Sequence, residues 1–162
     1  MKRILSFILI FLLAIGLIGC NNTEKQDALL QYINVDMVEL VEIEEDLLYS
    51  YESVTGDNYS SDLETYNEFY DNTILLAREL NDAAVTLSFS ISDSEILDVH
   101  RIYMDYSNKF LSTLSIMISA LENQDYTQLA EANEKLNEAN NLALDYQQAL
   151  LDLAEKYDIV WE

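Results

Sequence analysis

The chain has 162 residues, of which 30 are acidic and 8 are basic, so its formal net charge is −22 at pH 7. This balance excludes nucleic-acid binding, because a protein that binds nucleic acid needs basic surface to displace counterions. Half of the residues are apolar, proline is absent and glycine occurs only three times, which excludes a fold rich in tight turns and favours one domain of long helices.

Residues 1–20 have the layout of a secretory signal. Lys2 and Arg3 form a positive start, and residues 4–18 are apolar apart from one serine. This apolar stretch is shorter than the roughly 20 residues that a membrane-spanning helix needs. It ends in LIGC, residues 17–20, which resembles the lipobox of bacterial lipoproteins: an aliphatic residue, a tolerant position, a small residue and then cysteine.

The resemblance to bacterial lipoproteins implies that Cys20 carries a diacylglyceryl group and that residues 1–19 are removed as a signal peptide. Residues 20–23 then form the lipidated N-terminus and a short tether on the extracytoplasmic face of the cell membrane. Two acyl chains, such as palmitate, supply the double hydrophobic signal that stable anchoring requires. The alternative is an uncleaved membrane anchor in which Cys20 is a buried helix residue.

The first predicted helix follows the tether, where Thr23 and Gln26 have capping-box spacing. Its stripe alternates steps of three and four residues and includes one acidic position: Leu30, Ile33, Met37, Leu40, Glu44, Leu47 and Tyr51. Gly56 is predicted to mark the end of this helix, because glycine readily adopts the left-handed conformation that follows many helices.

The second predicted helix starts after Ser61, which has capping-box spacing with Glu64. Its stripe has the same rhythm: Leu63, Tyr66, Tyr70, Thr73, Ala77, Leu80, Ala84, Leu87 and Ile91. Ser92 with Glu95 predicts the start of the third helix. The stripe that follows consists of Ile96, Val99, Tyr103, Tyr106, Phe110, Leu114, Met117 and Leu121.

The fourth predicted helix is preceded by Asp125 and Gln128, a looser version of the capping box. Its stripe has ten members: Leu129, Ala132, Leu136, Ala139, Ala143, Tyr146, Leu150, Leu153, Tyr157 and Val160. Together the stripes predict an all-α fold, an up-down-up-down four-helix bundle over residues 24–162.

This topology places the chain's turns and termini at two ends. The near end holds Cys20, residues 88–95 and the C-terminal residues 157–162, whereas the far end holds residues 54–62 and 122–125. Trp161, the only tryptophan, either lies at the lipid head groups or covers the open end of the core together with its apolar neighbours.

His100 is the only histidine of the chain, which excludes a histidine-rich metal site. A di-iron bundle needs glutamate three residues before each of two histidines, and position 97 is a leucine. No serine on the same helix lies within reach for a nucleophilic pair. His100 is therefore interpreted as a semi-buried side chain with hydrogen-bond partners, and neither a catalytic residue nor a cofactor is predicted.

Glu44 is the one acidic side chain on a stripe, where an unpaired carboxylate is costly. At 1.5 Å per residue along straight helices, Glu44 and His100 lie about 20 Å apart. The same counting brings Glu44 level with four residues of the second and fourth helices: Tyr70, Thr73, Lys135 and Glu138. A local hydrogen bond or ion pair, a side chain that reaches solvent, and a ligand site are the alternatives for Glu44.

Residues 49–62 combine Tyr49, Tyr51 and Tyr59 with serine, glycine, asparagine and aspartate at the far end. Such a mixture is typical of recognition loops, because tyrosine offers large contact area with few rotatable bonds. The alternative is an ordinary polar turn next to a core tyrosine.

Two hypotheses about function follow. The first is a non-catalytic interaction module, anchored to the membrane through Cys20, which binds another envelope protein. The second is a small-ligand or cation-binding protein with a pocket between helices that Glu44 faces. A solid core favours the first hypothesis and a lined cavity at Glu44 favours the second.

Overall fold

The computed structural model describes residues 23–159, and every regular element in that range is helical. The first part of the chain forms α1 (Thr23–Gln31), a π-helical segment π1 (Tyr32–Asp36), α2 (Val38–Ser53) and a short 3-10 turn (Gly56–Asn58). It continues with α3 (Asp62–Glu68), a second π-helical segment π2 (Phe69–Thr73) and α4 (Ile74–Ser88). The last two elements are α5 (Ser94–Asn123) and α6 (Tyr126–Lys156).

The all-α prediction is confirmed for these residues, but the number of elements differs from the four uninterrupted helices that the stripes predict. Cys20 with the lipobox, Val160 and Trp161 lie outside the described residues. None of the helices between residues 23 and 159 is long and apolar enough to cross a membrane.

Two π-helical segments are the main departure from the predicted pattern. In π1 the backbone N–H of Met37 donates to the carbonyl of Tyr32, five residues earlier, at 3.0 Å. A π-helical turn of this kind holds one residue more than an α-helical turn. The face that a helix buries therefore shifts by one residue across each segment.

The shift is clearest around π2. Leu63 and Tyr70, which the stripe places in the core, are 69% and 58% exposed, whereas Thr65 and Phe69 are buried instead. Beyond π2 the predicted positions, beginning with Thr73, are again buried. The prediction for the N-terminal part of this stripe is wrong because it assumed an unbroken 3.6-residue period.

Helix caps explain most of the observed starts. Ser61 accepts a hydrogen bond from the Glu64 N–H at 3.2 Å, and Asp125 accepts from the N–H groups of the second and third residues of α6, as predicted. The start of α5 differs by one residue, because Asp93 rather than Ser92 is the cap. The Asp93 carboxylate, one residue after Ser92, accepts hydrogen bonds from two N–H groups of the first turn.

Gly56 has the expected positive φ of +59°, but it does not directly follow the helix. α2 already ends at Ser53, and Gly56 begins the 3-10 turn that connects α2 to α3. The prediction of where the first helix ends is therefore correct to within a few residues.

Side-chain contacts group the chain's turns at two ends. At the near end Glu95 pairs with Lys25 at 2.6 Å and also with Lys156, which joins the starts of α1 and α5 to the end of α6. At the far end Tyr126 donates to Asp62 at 3.1 Å, which joins the starts of α6 and α3. Between the ends, α5 packs against α4 and α6, and α2 packs against α4.

Candidate functional site

Two exposed tyrosines meet one carboxylate at the far end. Asp62 accepts a hydrogen bond from Tyr59 Oη at 2.8 Å through Oδ1 and from Tyr126 Oη at 3.1 Å through Oδ2. Tyr59 and Tyr126 are 53% and 64% exposed, and Leu63, next to Asp62 in the chain, is 69% exposed. We call Tyr59, Asp62, Leu63 and Tyr126 the tip cluster.

The tip cluster is positioned by capped helix starts. Ser61 caps α3 immediately before Asp62, and Asp125 caps α6 immediately before Tyr126. Because each cap fixes the first turn of its helix, the carboxylate and the Tyr126 ring stand on rigid elements while Tyr59 reaches across from the preceding turn. The cluster thus presents aromatic surface on a fixed frame.

The electrostatic surroundings of the tip cluster are entirely acidic. Neither residues 26–77 nor residues 110–134 contain a lysine or an arginine, and these two ranges supply the whole far end. The hydrogen bonds to Asp62 raise the pKa of both Tyr59 and Tyr126, so both hydroxyls stay protonated as donors at neutral pH. Aromatic rings in such a negative field are complementary to a basic partner surface.

Glu44 lies inside the bundle and has two dedicated donors. Its side chain is 3% exposed, and Tyr103 Oη donates to Oε2 at 2.9 Å while Tyr106 Oη donates to Oε1 at 2.8 Å. Burial raises the pKa of Glu44 to about 7, although the hydrogen bonds from Tyr106 and Tyr103 oppose that shift. The two tyrosines are neighbours on one face of α5, three residues apart, so a single helix supplies both donors.

His100 belongs to a second buried set of hydrogen bonds. Its Nε2 lies 2.8 Å from the carbonyl oxygen of Ala84, and its Nδ1 lies 3.0 Å from Tyr32 Oη. Since a carbonyl can only accept, Nε2 carries the proton, and burial lowers the pKa of His100 so that the ring is neutral. Nδ1 therefore accepts from Tyr32 Oη, which in turn accepts from Tyr146 Oη at 3.2 Å.

Aromatic contacts join the two buried sets into one layer. The Tyr103 ring lies with its centroid 6.1 Å from that of His100 and 5.1 Å from that of Tyr146. Glu44 and His100 are thus separated by one tyrosine, much closer than the predicted 20 Å, although they do not share a hydrogen bond. Tyr32 contacts His100, and Glu44, twelve residues further along the stretch formed by α1, π1 and α2, contacts Tyr103. On α5 these two partners are only three residues apart.

The predicted partners of Glu44 lie elsewhere. Thr73 shares a hydrogen bond of 2.7 Å with Ser50, Tyr70 is exposed, and Glu138 pairs with Lys109 at 2.9 Å on the surface. Counting along straight helices compared backbone levels only, whereas the long side chains of Tyr103 and Tyr106 reach along the core to Glu44. The one extra residue of π1 accounts for only a small part of the difference.

The buried layer is closed. Every buried side-chain nitrogen and oxygen in residues 23–159 has a hydrogen-bond partner within the protein. No group of three or more histidine, cysteine, aspartate or glutamate side chains in that range is arranged to hold a metal ion. Both oxygens of Glu44 and both nitrogens of His100 are occupied, so the layer has the chemistry of a structural network.

Among the described residues, two open grooves on the surface do not reach this layer. One, of about 460 Å³, runs beside the far end and includes Leu63, Glu64 and Asn67. The other, of about 470 Å³, lies between α4 and α5 and includes Leu75, Arg78 and Ile118.

The structure separates the three tyrosines that the sequence places at the far tip. Tyr59 is in the tip cluster, and Tyr49 is 79% exposed on α2. Tyr51 is buried, with its ring stacked 5.3 Å from that of Phe69, so its inclusion as a contact residue is wrong. Its position on the first stripe already identifies it as a core residue.

Sequence reasoning included Asp62 in residues 49–62 without giving it a role, and it missed Leu63 and Tyr126. Tyr126 belongs to a helix that meets Asp62 only in the folded chain. Sequence reasoning placed Tyr103, Tyr106 and Tyr146 correctly in the core but predicted no hydrogen-bond partners for their hydroxyls. Buried tyrosine hydroxyls need partners, and the only acidic side chain and the only histidine near the stripes were available acceptors. That requirement is a signal that the sequence does contain.

The chain matches no protein-family model, no curated protein and no solved structure.

Proposed function

We propose that this chain is a bacterial lipoprotein whose residues 24–162 form an up-down-up-down four-helix bundle that acts as a non-catalytic interaction module. Cys20 carries the lipid, and the bundle stands on the extracytoplasmic face of the cell membrane. Two observations support this arrangement: the lipobox-like LIGC ends an apolar signal, and the contacts group residue 25 with residues 95 and 156 at one end. The tether and the C-terminal end then share the membrane side.

The tip cluster is the surface that binds the partner. The observation that carries this proposal is the pair of half-exposed tyrosines, Tyr59 and Tyr126, fixed on Asp62 at the end opposite to the start of α1. Rigid aromatic side chains at the centre of a contact surface are typical of binding hot spots. The acidic surroundings favour a partner with a basic surface, since a like-charged one would be repelled.

The alternative function, a small-ligand or cation site between helices, would use Glu44. Its carboxylate is already satisfied by Tyr103 and Tyr106, and the two open grooves are lined by other residues. These contacts favour the interaction module.

Site-specific photo-crosslinking tests the proposed binding surface. A photoreactive amino acid replaces Tyr59 or Tyr126, and matched variants carry it at Tyr70 and Leu151, which are exposed on the flanks. We expect one protein to be crosslinked from both tip positions and from neither flank position. Crosslinks from the flanks alone would show that the tip cluster is not the binding surface.

Charge and anchoring are tested separately. Asp62→Asn should weaken the tip crosslink without lowering the melting temperature, and added salt should weaken it in the wild-type protein, because the attraction is electrostatic.

Cys20→Ala should leave an unprocessed precursor or release the domain from membranes. Normal processing and membrane retention of Cys20→Ala would contradict the lipid anchor while leaving the tip cluster open to the crosslinking test.

A further inference from the structure

One large apolar side chain near the membrane end is almost completely exposed. Phe89, which follows the last residue of α4, is 85% exposed, more than any other large hydrophobic side chain in residues 23–159. Its own N–H bonds to the carbonyl of Thr86 at 3.2 Å and the N–H of Ser90 to that of Leu87 at 2.9 Å. The backbone of this turn is therefore fixed, and the ring projects from it into solvent.

The turn that carries Phe89 belongs to the near end. Glu95, the second residue of the next helix, pairs with Lys25 in α1 at 2.6 Å, and Gln26 Nε2 donates to the carbonyl of Tyr157 at 2.7 Å. The start of α1, the turn before α5 and the end of α6 thus form one surface. Phe89 is the only member of the exposed large hydrophobic side chains in the described residues that this surface contains.

The length of chain before α1 sets how far this surface lies from Cys20. Two residues, Asn21 and Asn22, lie between Cys20 and Thr23, the first residue of α1, and these three residue steps span at most about 10 Å when fully extended. This distance is similar to the depth of a head-group layer, which is about 5–8 Å on each side of the hydrocarbon core. A lipid on Cys20 therefore holds the near end at the bilayer surface.

We propose that Phe89 is a second membrane contact, inserted at the boundary between head groups and acyl chains when the chain is anchored. This inference rests on the proposed lipidation of Cys20 and adds a residue that fixes the tilt of the bundle. Aromatic side chains on interfacial segments sink about 5–10 Å into this boundary. The tether makes insertion intramolecular, so a single ring suffices where it would fail in a free domain.

The acidic charge at this end is partly compensated by basic residues, unlike that at the far end. Of the six basic residues after Cys20, Lys25 and Lys156 lie here, and both close on Glu95, whose pKa the hydrogen bonds from Lys156 and Lys25 lower to about 2. One carboxylate of the membrane-facing surface is thereby compensated. The far end, by contrast, contains no basic residue, and there an exposed ring would approach a bilayer only against uncompensated charge.

Fluorescence quenching in vesicles tests the contact. The full chain is expressed in a bacterial host, and the lipidated protein is reconstituted into phosphatidylcholine vesicles with or without brominated acyl chains. Phe89→Trp is made in a Trp161→Phe background, so that only one indole is present. We expect brominated lipid to reduce the fluorescence of the Phe89→Trp variant by about half, as befits a ring at this depth.

Tyr59→Trp in the same background is the matched control, because position 59 is equally a turn position but lies at the far end. It should show no quenching. Both variants should melt at the temperature of the parent, since both sites are exposed.

Vesicle flotation distinguishes a failure of the lipid anchor from a failure of the Phe89 contact. If the lipidated protein does not float with vesicles, the proposed anchor is wrong and the Phe89 contact falls with it. If it floats and the Phe89→Trp variant is not quenched, or is quenched no more than the Tyr59→Trp control, the Phe89 contact alone is overturned.

Discussion

Residues 23–88 and residues 94–156 build their helices in different ways. The first range forms two helical stretches, each interrupted by a π-helical segment, whereas the second forms two unbroken helices of 30 and 31 residues. The interrupted stretches bring Glu44 and Tyr32 into the core, and the unbroken helices supply Tyr103, Tyr106 and Tyr146 as their partners. The buried layer thus combines side chains from the stretch that π1 interrupts with side chains from the two unbroken helices.

The difference teaches that an extra residue in a helix can position one side chain while the residues that follow it in the helix keep their places in the core. Tyr32 is the first residue of π1, and it reaches His100 while Met37 and the following stripe positions remain buried. π-helical segments often occur where a side chain must be aimed at a particular target. Here the target is a closed hydrogen-bond network.

Deleting one residue from each kind of helix gives the largest expected contrast. Removal of exposed Ser112 from α5 rotates everything after it by about 100°, so either Leu114 and Met117 or the tyrosines before them leave the core. At about 2–5 kcal/mol for each large buried side chain, we expect loss of cooperative unfolding. Removal of exposed Asn72 converts π2 to α-helix and keeps Phe69 and Thr73 on one face, so the protein should stay folded.

Urea unfolding of residues 21–162 followed by circular dichroism measures both deletions. The Asn72 deletion should cost less than about 2 kcal/mol, the scale of a disturbed hydrogen bond at Ser50 and Thr73. Equal damage from both deletions would show that π2 is not an inserted residue in an otherwise α-helical register.

The same contrast explains what sequence periodicity was able to predict. As far as Tyr157, the stripes in α5 and α6 fall on buried or half-buried positions, since nothing interrupts their 3.6-residue period. Stripes N-terminal to π1 and π2 fail by one residue, because no local composition marks a π turn in FYDNT or YINVD. Asp62 and Tyr126, which are 64 residues apart in sequence, meet only through packing, and periodicity within one helix carries no information about such pairs.

The pH dependence of stability tests the buried acid next. Burial raises the pKa of Glu44 from 4.5 to about 7 in the folded chain, so the native state favours the protonated form. The protonated Glu44 therefore contributes fully to the free energy of unfolding below pH 4.5. This contribution is lost as pH rises to 7 and above, and the total change is about 3 kcal/mol. Glu44→Gln should remove this slope and make the protein more stable than the wild type at pH 8.

His100 acts in the opposite direction and is the internal control. Burial lowers the pKa of His100, so its contribution is present above pH 6.5 and is lost as pH falls through the lower folded pKa. The difference between wild type and Glu44→Gln cancels this term and isolates Glu44. A difference that does not change between pH 4.5 and pH 8 would mean that Glu44 is ionised, and adequately stabilised, throughout.

Tyr106→Phe tests the hydrogen bond that α5 donates to Glu44. It leaves Oε1 of Glu44 without its donor, which should cost about 1–3 kcal/mol. Because the Tyr106 hydrogen bond holds the pKa of Glu44 down, the loss should be larger at pH 8 than at pH 5. Tyr70→Phe removes a hydroxyl from an exposed ring and should change the unfolding free energy by less than about 0.5 kcal/mol. A pH-independent loss in Tyr106→Phe would show that the hydroxyl does not act on the carboxylate charge.

The smallest expected effects concern the two far-end turns, one from each range of the chain. Gln124, after α5, has φ +54° without being glycine, and the following N–H bonds to the carbonyl of Ala120 at 2.8 Å, as in a Schellman motif. Its Cβ strains a left-handed conformation by about 1 kcal/mol, so Gln124→Gly should raise the free energy of unfolding by about 0.5 kcal/mol after the entropy of the unfolded glycine is subtracted. Gly56 has φ +59° with open space around it, so Gly56→Ala adds backbone strain but no steric clash. It should lower that free energy by a similar amount, after the smaller entropy of the unfolded alanine is taken into account. Thermal unfolding of both variants measures the pair, and a destabilised Gln124→Gly would mean that the glutamine side chain, not the backbone bond, holds the turn between α5 and α6.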